Sequence, residues 1–371
     1  MKRSALTAIS AAALALLALG ANEALLPTLP AGVFAPEIPA DNPLSAEKIA
    51  LGQKLYFDAR LSTDGTVACA TCHDPKHAFA DGRGAKGSAG VGGAMGSKNA
   101  PTVLNAAFLA TQFWDGRAAN LEAQAVLPLI NEIEHGFADH PAVVAKLNML
   151  SDYGAPFEAA FGTREITIER VGQAIASFER TLIEVNAPID RFLRGDASAI
   201  SAEALRGWGL FNGKARCSTC HGYVEAIPLF TDDDFHNIGV GVTRVDFAAA
   251  SRKAAAAAAA GASIDDLALG DEAVGELGRF LVTREERHLG AFKTPQLRNV
   301  AKTAPYMHDG SEPTLASVID YYDRGGNANP YLDGGMRPLA LTAQEKADLV
   351  ALLESFTSDD LERLSRVAPQ S

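Results

Sequence analysis

Two pentapeptides constrain this chain more than any other feature: Cys69-Ala-Thr-Cys72-His73 and Cys217-Ser-Thr-Cys220-His221. The chain has four cysteines, and these two pairs use all of them. Cys-x-x-Cys-His is the attachment pattern of c-type haem: two thiols form thioethers with the porphyrin edge, and the next histidine sets an imidazole beneath the iron. Competing uses of the pattern fit poorly. A zinc ribbon brings its cysteine pairs within about 15–20 residues of each other, whereas Cys69 and Cys217 lie 148 positions apart. A local zinc site from Cys69, Cys72, His73 and His77 is too compressed to wrap a tetrahedron. Thioredoxin-like pairs need no following histidine. The sequence therefore predicts two covalently bound haem c groups.

The first residues predict export. Lys2 and Arg3 precede an apolar stretch from Ala5 to Leu19, and small residues follow at Gly20 and Ala21. This is the layout of a secretory signal peptide over residues 1–21. Gly20, Ala21 and Ala24 all suit cleavage, and an uncleaved N-terminal anchor is the alternative. No later segment is apolar for long enough to span a bilayer, so a periplasmic protein with no membrane span is expected. Losing Lys2 and Arg3 takes the formal net charge from −12 to −14. So acidic a chain lacks the basic footprint of a nucleic-acid binder, and it leaves room for a protein partner docked through a local patch.

A loose internal repeat surrounds the two pentapeptides. Ser45-Ala-Glu leads to Gly52-Gln-Lys-Leu-Tyr-Phe57 and the first site, and Ser201-Ala-Glu leads to Gly207-Trp-Gly-Leu-Phe211 and the second. Each half reads as a capped helix packing aromatic and leucine side chains near its own haem. The expected fold is mainly α: two cytochrome c-like domains over residues 22–195 and 196–371, each with one haem facing the interface. Apolar spacing predicts helices over residues 120–130 and 168–192. Thr342-Ala-Gln-Glu345 is a capping box opening a helix with Leu349, Leu352, Leu353 and Phe356 on one face. Residues 82–96 are glycine-rich and predict a flexible loop over the first haem. The polyalanine run 254–260 predicts an inserted helix, and any sheet should be small.

Longer segments carry a specific resemblance. Asn99-Ala-Pro-Thr-Val-Leu-Asn105, Gln112-Phe-Trp-Asp-Gly-Arg117, Leu297-Arg-Asn-Val300 and Thr303-Ala-Pro-Tyr-Met-His-Asp-Gly310 resemble the bacterial di-haem cytochrome c peroxidase/MauG superfamily, and the likeness runs from about Asn42 to Phe356. The resemblance implies that the N-terminal haem meets hydrogen peroxide while the C-terminal haem stores or relays electrons. It implies that Trp114 bridges the haems, where the residue alone would read as core packing. It matches Gln124, Pro128 and Glu134 to the peroxide pocket, with Glu134 moving the proton that O–O cleavage requires. In isolation, Glu134 would read as a solvated charge. The resemblance also implies one calcium ion between the haems, at Asn99, Thr303 and Pro305, and sets His308 between the sites.

The sixth iron ligands distinguish members of this family. Conventional peroxidases place a methionine at the C-terminal haem, and the matching position here, fourteen residues after His308, is Tyr322. Leu315, Val318, Ile319 and Tyr322 share one helical face, and Tyr321 points about 100° away. Met307, Met336 and His308 are rival ligands. Residues 82–96 contain no histidine to block the first iron; His77 is too close to His73 to reach the opposite haem face, and Met95 could ligate but a loop methionine is more often exposed or packed, so the first haem is expected to be open or water-bound. His135, His140, His236 and His288 read as structural. The pattern resembles the MauG/MbnH-like branch with a tyrosine ligand. That branch implies a peroxide-dependent oxidoreductase that oxidises residues of a partner protein through high-valent haem. The alternatives are a conventional peroxidase fed by a small cytochrome or cupredoxin, and a non-enzymatic electron carrier.

Overall fold

The computed structural model describes residues 24–83 and 88–367. The leader expected over residues 1–21 and the loop residues 84–87 lie outside the described residues. Among these the protein is mainly helical, and its one sheet pairs β1 (Phe235–His236) antiparallel with β2 (Phe292–Lys293).

The repeat seen in the sequence is built as two crossed helix pairs. In the first half, α1 (Ala46–Phe57) starts where Ser45 Oγ accepts a hydrogen bond from the Lys48 amide, 3.1 Å, satisfying a donor the helix cannot. It buries Leu51, Leu55 and Tyr56 against α3 (Ile168–Glu179), and α2 (Leu121–Val126) packs on the same helix. In the second half, α4 (Ala202–Asn212) is capped in the same way by Ser201, 3.1 Å from the Ala204 amide. It crosses α7 (Ala343–Glu354). Each crossing depends on a glycine. A Cβ on Gly52 would overlap the Ala174 carbonyl oxygen, and one on Gly207 would overlap that of Asp348.

Each pair has its own core. The first gathers Leu55, Tyr56, Phe157, Ile175 and Phe178; the second gathers Phe211, Phe230, Leu349, Leu352 and Phe356. A third cluster lies around α5 (Phe247–Ala259) and residues 264–289, including Ala254, Leu267, Val274 and Leu281. The polyalanine run thus falls largely within an inserted helix. The chain end returns to the first half: Leu364 joins that core, and Gln53 Nε2 donates to the Val367 carbonyl, 2.5 Å.

Two helices are shorter than their apolar spacing predicts, and in both a proline opens the piece that follows. The stretch 168–192 divides into α3 and a short helix over Pro188–Leu193, preceded by extended Ala187 (φ −102, ψ 165). Proline lacks an N–H and suits the first helical position, while the residue before it is pushed out of the helical region. The stretch 120–130 likewise divides into α2 and a 3₁₀ turn over Pro128–Ile130. The capping box at Thr342 and Glu345 forms as expected. Among the described residues no helix is long and apolar enough to cross a membrane.

Candidate active site

Each pentapeptide forms a tight turn on the wall of a cavity. Cys69–Cys72 is one helical turn, and Cys217–Thr219 is a 3₁₀ turn leading into Cys220 and His221. His73 Nδ1 lies 2.9 Å from the Pro101 carbonyl oxygen and 3.3 Å from that of Phe79; His221 Nδ1 lies 2.9 Å from the Phe230 carbonyl oxygen. A carbonyl oxygen only accepts, so each Nδ1 carries the hydrogen and each Nε2 keeps its lone pair. Burial lowers the proton affinity of both rings, which favours the neutral form. No cysteine is in a disulfide. Burial pushes the Cys72 thiol up to about 11 and that of Cys217 up to about 12, which leaves them without the lowered pKa of redox-active thiols. Two thiols one turn apart beside a ligand imidazole fit haem c on both cavity walls.

The first cavity faces a polar wall. Gln124, Pro128 and Glu134 line it together with Cys69, Cys72 and His73. Asn131 Oδ1 accepts from the amides of Ile133 and Glu134, 2.9 and 3.3 Å, and so shapes the turn that carries Glu134. Glu134 Oε2 is buried with no hydrogen-bond partner among the described residues. Burial, assisted by the negative charge of Asp265 and opposed by Arg117, pushes its carboxyl up to about 7. Glu179 lines the same cavity and also has an unpartnered Oε2; burial pushes it up to about 8. The glycine-rich segment reaches the turn that carries Glu134. Its described part, residues 88–96, is pinned by an Ala89–Met95 bridge and by the Val91 amide donating to the Glu134 carbonyl, 3.0 Å. Met95 is 48 % exposed, and His77 pairs with Asp74 at 3.2 Å.

The second cavity is largely apolar. Leu315, Val318, Ile319 and Tyr322 line it from α6 (Leu315–Asp323), together with Cys217, Cys220 and His221. The Tyr322 hydroxyl makes no hydrogen bond to the described residues, and burial pushes its pKa up. Tyr321 instead turns away, its hydroxyl donating to the Ile238 carbonyl at 2.9 Å. Met307 and Met336 also line this cavity.

Trp114, Asn99, Pro101 and Phe292 line both cavities. Trp114 Nε1 donates to the Asn99 carbonyl, 2.7 Å, and its ring meets His308 edge-on at 6.4 Å. His308 stacks on Phe292 at 3.6 Å and bonds through Nε2 to Glu276, 2.8 Å, which in turn pairs with Lys98, 3.0 Å. His308 and Lys98 hold the Glu276 carboxyl down, at about 2, against the effect of its burial. Of the residues matched to calcium, Asn99 and Pro305 are adjacent: Asn99 Nδ2 donates to the Pro305 carbonyl, 2.7 Å. Thr303 Oγ1 bonds to the Val300 carbonyl, 3.2 Å. An oxygen cage there requires the Asn99 amide turned so that Oδ1 faces the ion, an orientation assigned from the hydrogen-bond network.

The remaining histidines have partners. His135 Nδ1 donates to the Leu61 carbonyl, 2.6 Å; His140 contacts the Val126 carbonyl, 3.2 Å; His288 contacts Thr283, 2.8 Å. His236 lies between Asp333, 2.7 Å, and Asp232, 3.0 Å. Asp265 and the Lys98–Glu276 pair escaped the sequence reading because their partners lie far away in sequence, and Glu179 because no local spacing marks it.

Residues 46–198 match the di-haem cytochrome c peroxidase family. The methylamine utilization protein MauG of Methylorubrum extorquens is 39% identical, over 86% of this chain and 81% of the relative. Cytochrome-c peroxidase IdrP1 of Denitromonas iodatirespirans is 35% identical, over 86% and 84%. The crystal structure of a MauG-like protein associated with microbial copper homeostasis superposes with a TM-score of 0.72 at 33% identity, covering 90% of this chain and 95% of that one.

Proposed function

The chain belongs to the di-haem cytochrome c peroxidase/MauG family and is an enzyme of the kind that uses peroxide; from that premise we propose a MauG-like oxidase acting on residues of a partner protein. Residues 22–195 form its peroxide side and residues 196–371 its electron-relay side. The export reading of the first residues and the haem-attachment pentapeptides support a periplasmic setting.

His73 and His221 would hold the two haem irons through Nε2, with thioethers to Cys69, Cys72, Cys217 and Cys220. Bound haem supplies the redox centre at which peroxide is reduced and from which electrons are drawn. Glu134 Oε2 moves a proton from one peroxide oxygen to the other, so that the departing oxygen leaves as water. The Gln124 amide orients the peroxide, and Pro128 adds a wall without a donor of its own. Trp114 offers a π-system on the wall shared by both cavities, positioned by its bond to the Asn99 carbonyl, with His308 against it. Asn99, Thr303 and Pro305 would hold a calcium ion between the sites.

The observation that carries this reading is Tyr322, whose hydroxyl is unpartnered among the described residues on the cavity wall that includes His221. A phenolate is a hard anionic ligand suited to oxidised iron, whereas a thioether raises the potential and favours the reduced state. Resonance Raman spectra of the ferric holoprotein test it. Tyrosinate modes that vanish in Tyr322→Phe are expected; a spectrum identical in the two proteins would sink the reading. One observation favours a second reading, a conventional peroxidase taking electrons from a small cytochrome or cupredoxin: Met307 and Met336 share the Tyr322 cavity.

A further inference from the structure

The helical insertion within the second half reaches the first cavity, where Ala268 and Leu269 form part of the lining. Its short helix Ile264–Gly270 begins at Ser263, whose Oγ accepts from the Asp266 amide at 3.1 Å, and Asp265 sits in its first turn. An acidic side chain there is favoured by the partial positive charge of the helix start.

Asp265 is 8 % exposed and both of its oxygens are engaged. Oδ1 accepts from Arg117 Nε at 2.7 Å, and Oδ2 accepts from Asn131 Nδ2 at 3.0 Å. Asn131 uses its other end, Oδ1, to bind the amides of Ile133 and Glu134. A continuous strap therefore runs from the insertion, through one asparagine, to the backbone of the acid. Arg117 carries a second link. It is nearly buried, pairs with Asp115 at 3.0 Å and Asp265 at 2.7 Å, and lies 3.6 Å over the Phe113 ring.

We propose that Asp265 is a positioning residue for Glu134, fixing the turn that carries this acid and holding Arg117 away from it. The inference rests on the reading of Glu134 as the proton carrier and adds the device that sets it. One guanidinium is shared between two carboxylates, so little of its charge is left to stabilise a third. Burial and the Asp265 charge accordingly push Glu134 up, and Arg117 opposes them only in part. Lys98 also lines this cavity, and its charge is paired with Glu276 at 3.0 Å. Cys69 and Cys72 are uncharged as thiols or thioethers, Glu179 is itself pushed up, and burial holds His135 down at about 4. The insertion thus sets the pH range over which the acid exchanges its proton.

The test is the rate at which the ferric holoprotein reacts with hydrogen peroxide, followed across pH by stopped flow in wild type, Asp265→Asn, Glu134→Gln and the double variant. Asp265→Asn removes a repelling charge and frees Arg117. Both changes favour the Glu134 carboxylate, so the inflection moves down by on the order of one pH unit. The double variant should be no slower than Glu134→Gln alone, the non-additivity expected of two residues acting through one group. Asn131→Ala cuts the strap at its other end and keeps the test open if Asp265→Asn does not fold; it is expected to lower the rate while both Soret bands and the melting temperature stay near wild type. An unchanged rate in Glu134→Gln would remove the acid's role itself. A slowed Glu134→Gln combined with an Asp265→Asn profile lying on that of wild type would overturn the strap alone.

Discussion

His73 and His221 are fixed alike, each with Nδ1 bonded to a backbone carbonyl, while the walls of their two cavities are built from different chemistry. The first cavity carries Gln124 and two buried carboxyls, Glu134 and Glu179, each with an oxygen that finds no hydrogen-bond partner among the described residues. The second carries the apolar face of α6, with Tyr322 at its end. A duplicated scaffold can thus offer the same proximal nitrogen twice and still separate two tasks. An unpaired buried polar oxygen costs about 1–3 kcal/mol, a cost consistent with a site kept ready for a small polar reactant. On the reading proposed above, the Tyr322 hydroxyl on that wall would be the ligand to iron, with Met307 and Met336 of the same cavity as its rivals.

The sharpest way to break this comparison is to remove the acid from the first cavity. Glu134→Gln should slow the peroxide reaction by about 100- to 10,000-fold, the range for loss of general acid–base catalysis, and leave the spectrum of the second haem unchanged. A rate within twofold of wild type in stopped flow would erase the functional difference between the walls. Tyr322→Met should act on the opposite side. Its thioether should raise the potential of the second haem by on the order of 100 mV, well inside the ~0.8 V that axial ligands span, leaving the first haem's peroxide binding intact. Redox titration of the two haems reads both.

A smaller effect follows from pH. Glu134 must be ionised to take a proton from peroxide, and its carboxyl is pushed up to about 7. The peroxide rate should therefore fall about tenfold per unit as pH drops below 7 and level off above it. A flat profile from pH 5 to 8 would remove the acid from the rate-determining step. The smallest effect concerns what the halves share. Gly52→Ala and Gly207→Ala each force a Cβ onto a carbonyl oxygen at a helix crossing, and each should lower stability by about 1–3 kcal/mol. Denaturant melts read this, and a neutral result at one site alone would show that the crossings are not equivalent.

Much of this arrangement was legible in the sequence because it is local. The attachment turns follow from fixed pentapeptides, and the distinction between Tyr321 and Tyr322 follows from helical period, which the hydrogen bond of Tyr321 to Ile238 bears out. The helix over residues 168–192 was read too long because apolar spacing continues past Glu179 while Pro188 restarts the chain. The glycine-rich segment was read as a flexible loop over the first haem, and composition gives no sign of the bond from the Val91 amide to the Glu134 carbonyl. Asp265 was invisible for a related reason. Its partners Arg117 and Asn131 lie 148 and 134 residues away, and an aspartate in a first helical turn ordinarily reads as a cap.

The central claim is that the first cavity is open to peroxide while the second holds its iron through a hard ligand, so that no prior reduction is needed. Adding one equivalent of hydrogen peroxide to the fully oxidised holoprotein, with Soret and near-infrared absorbance followed by stopped flow, tests it most directly. The account predicts a rapid Soret change and a long-lived species with a near-infrared band. No reaction until one haem has been reduced would contradict it and would mark a gated, conventional peroxidase.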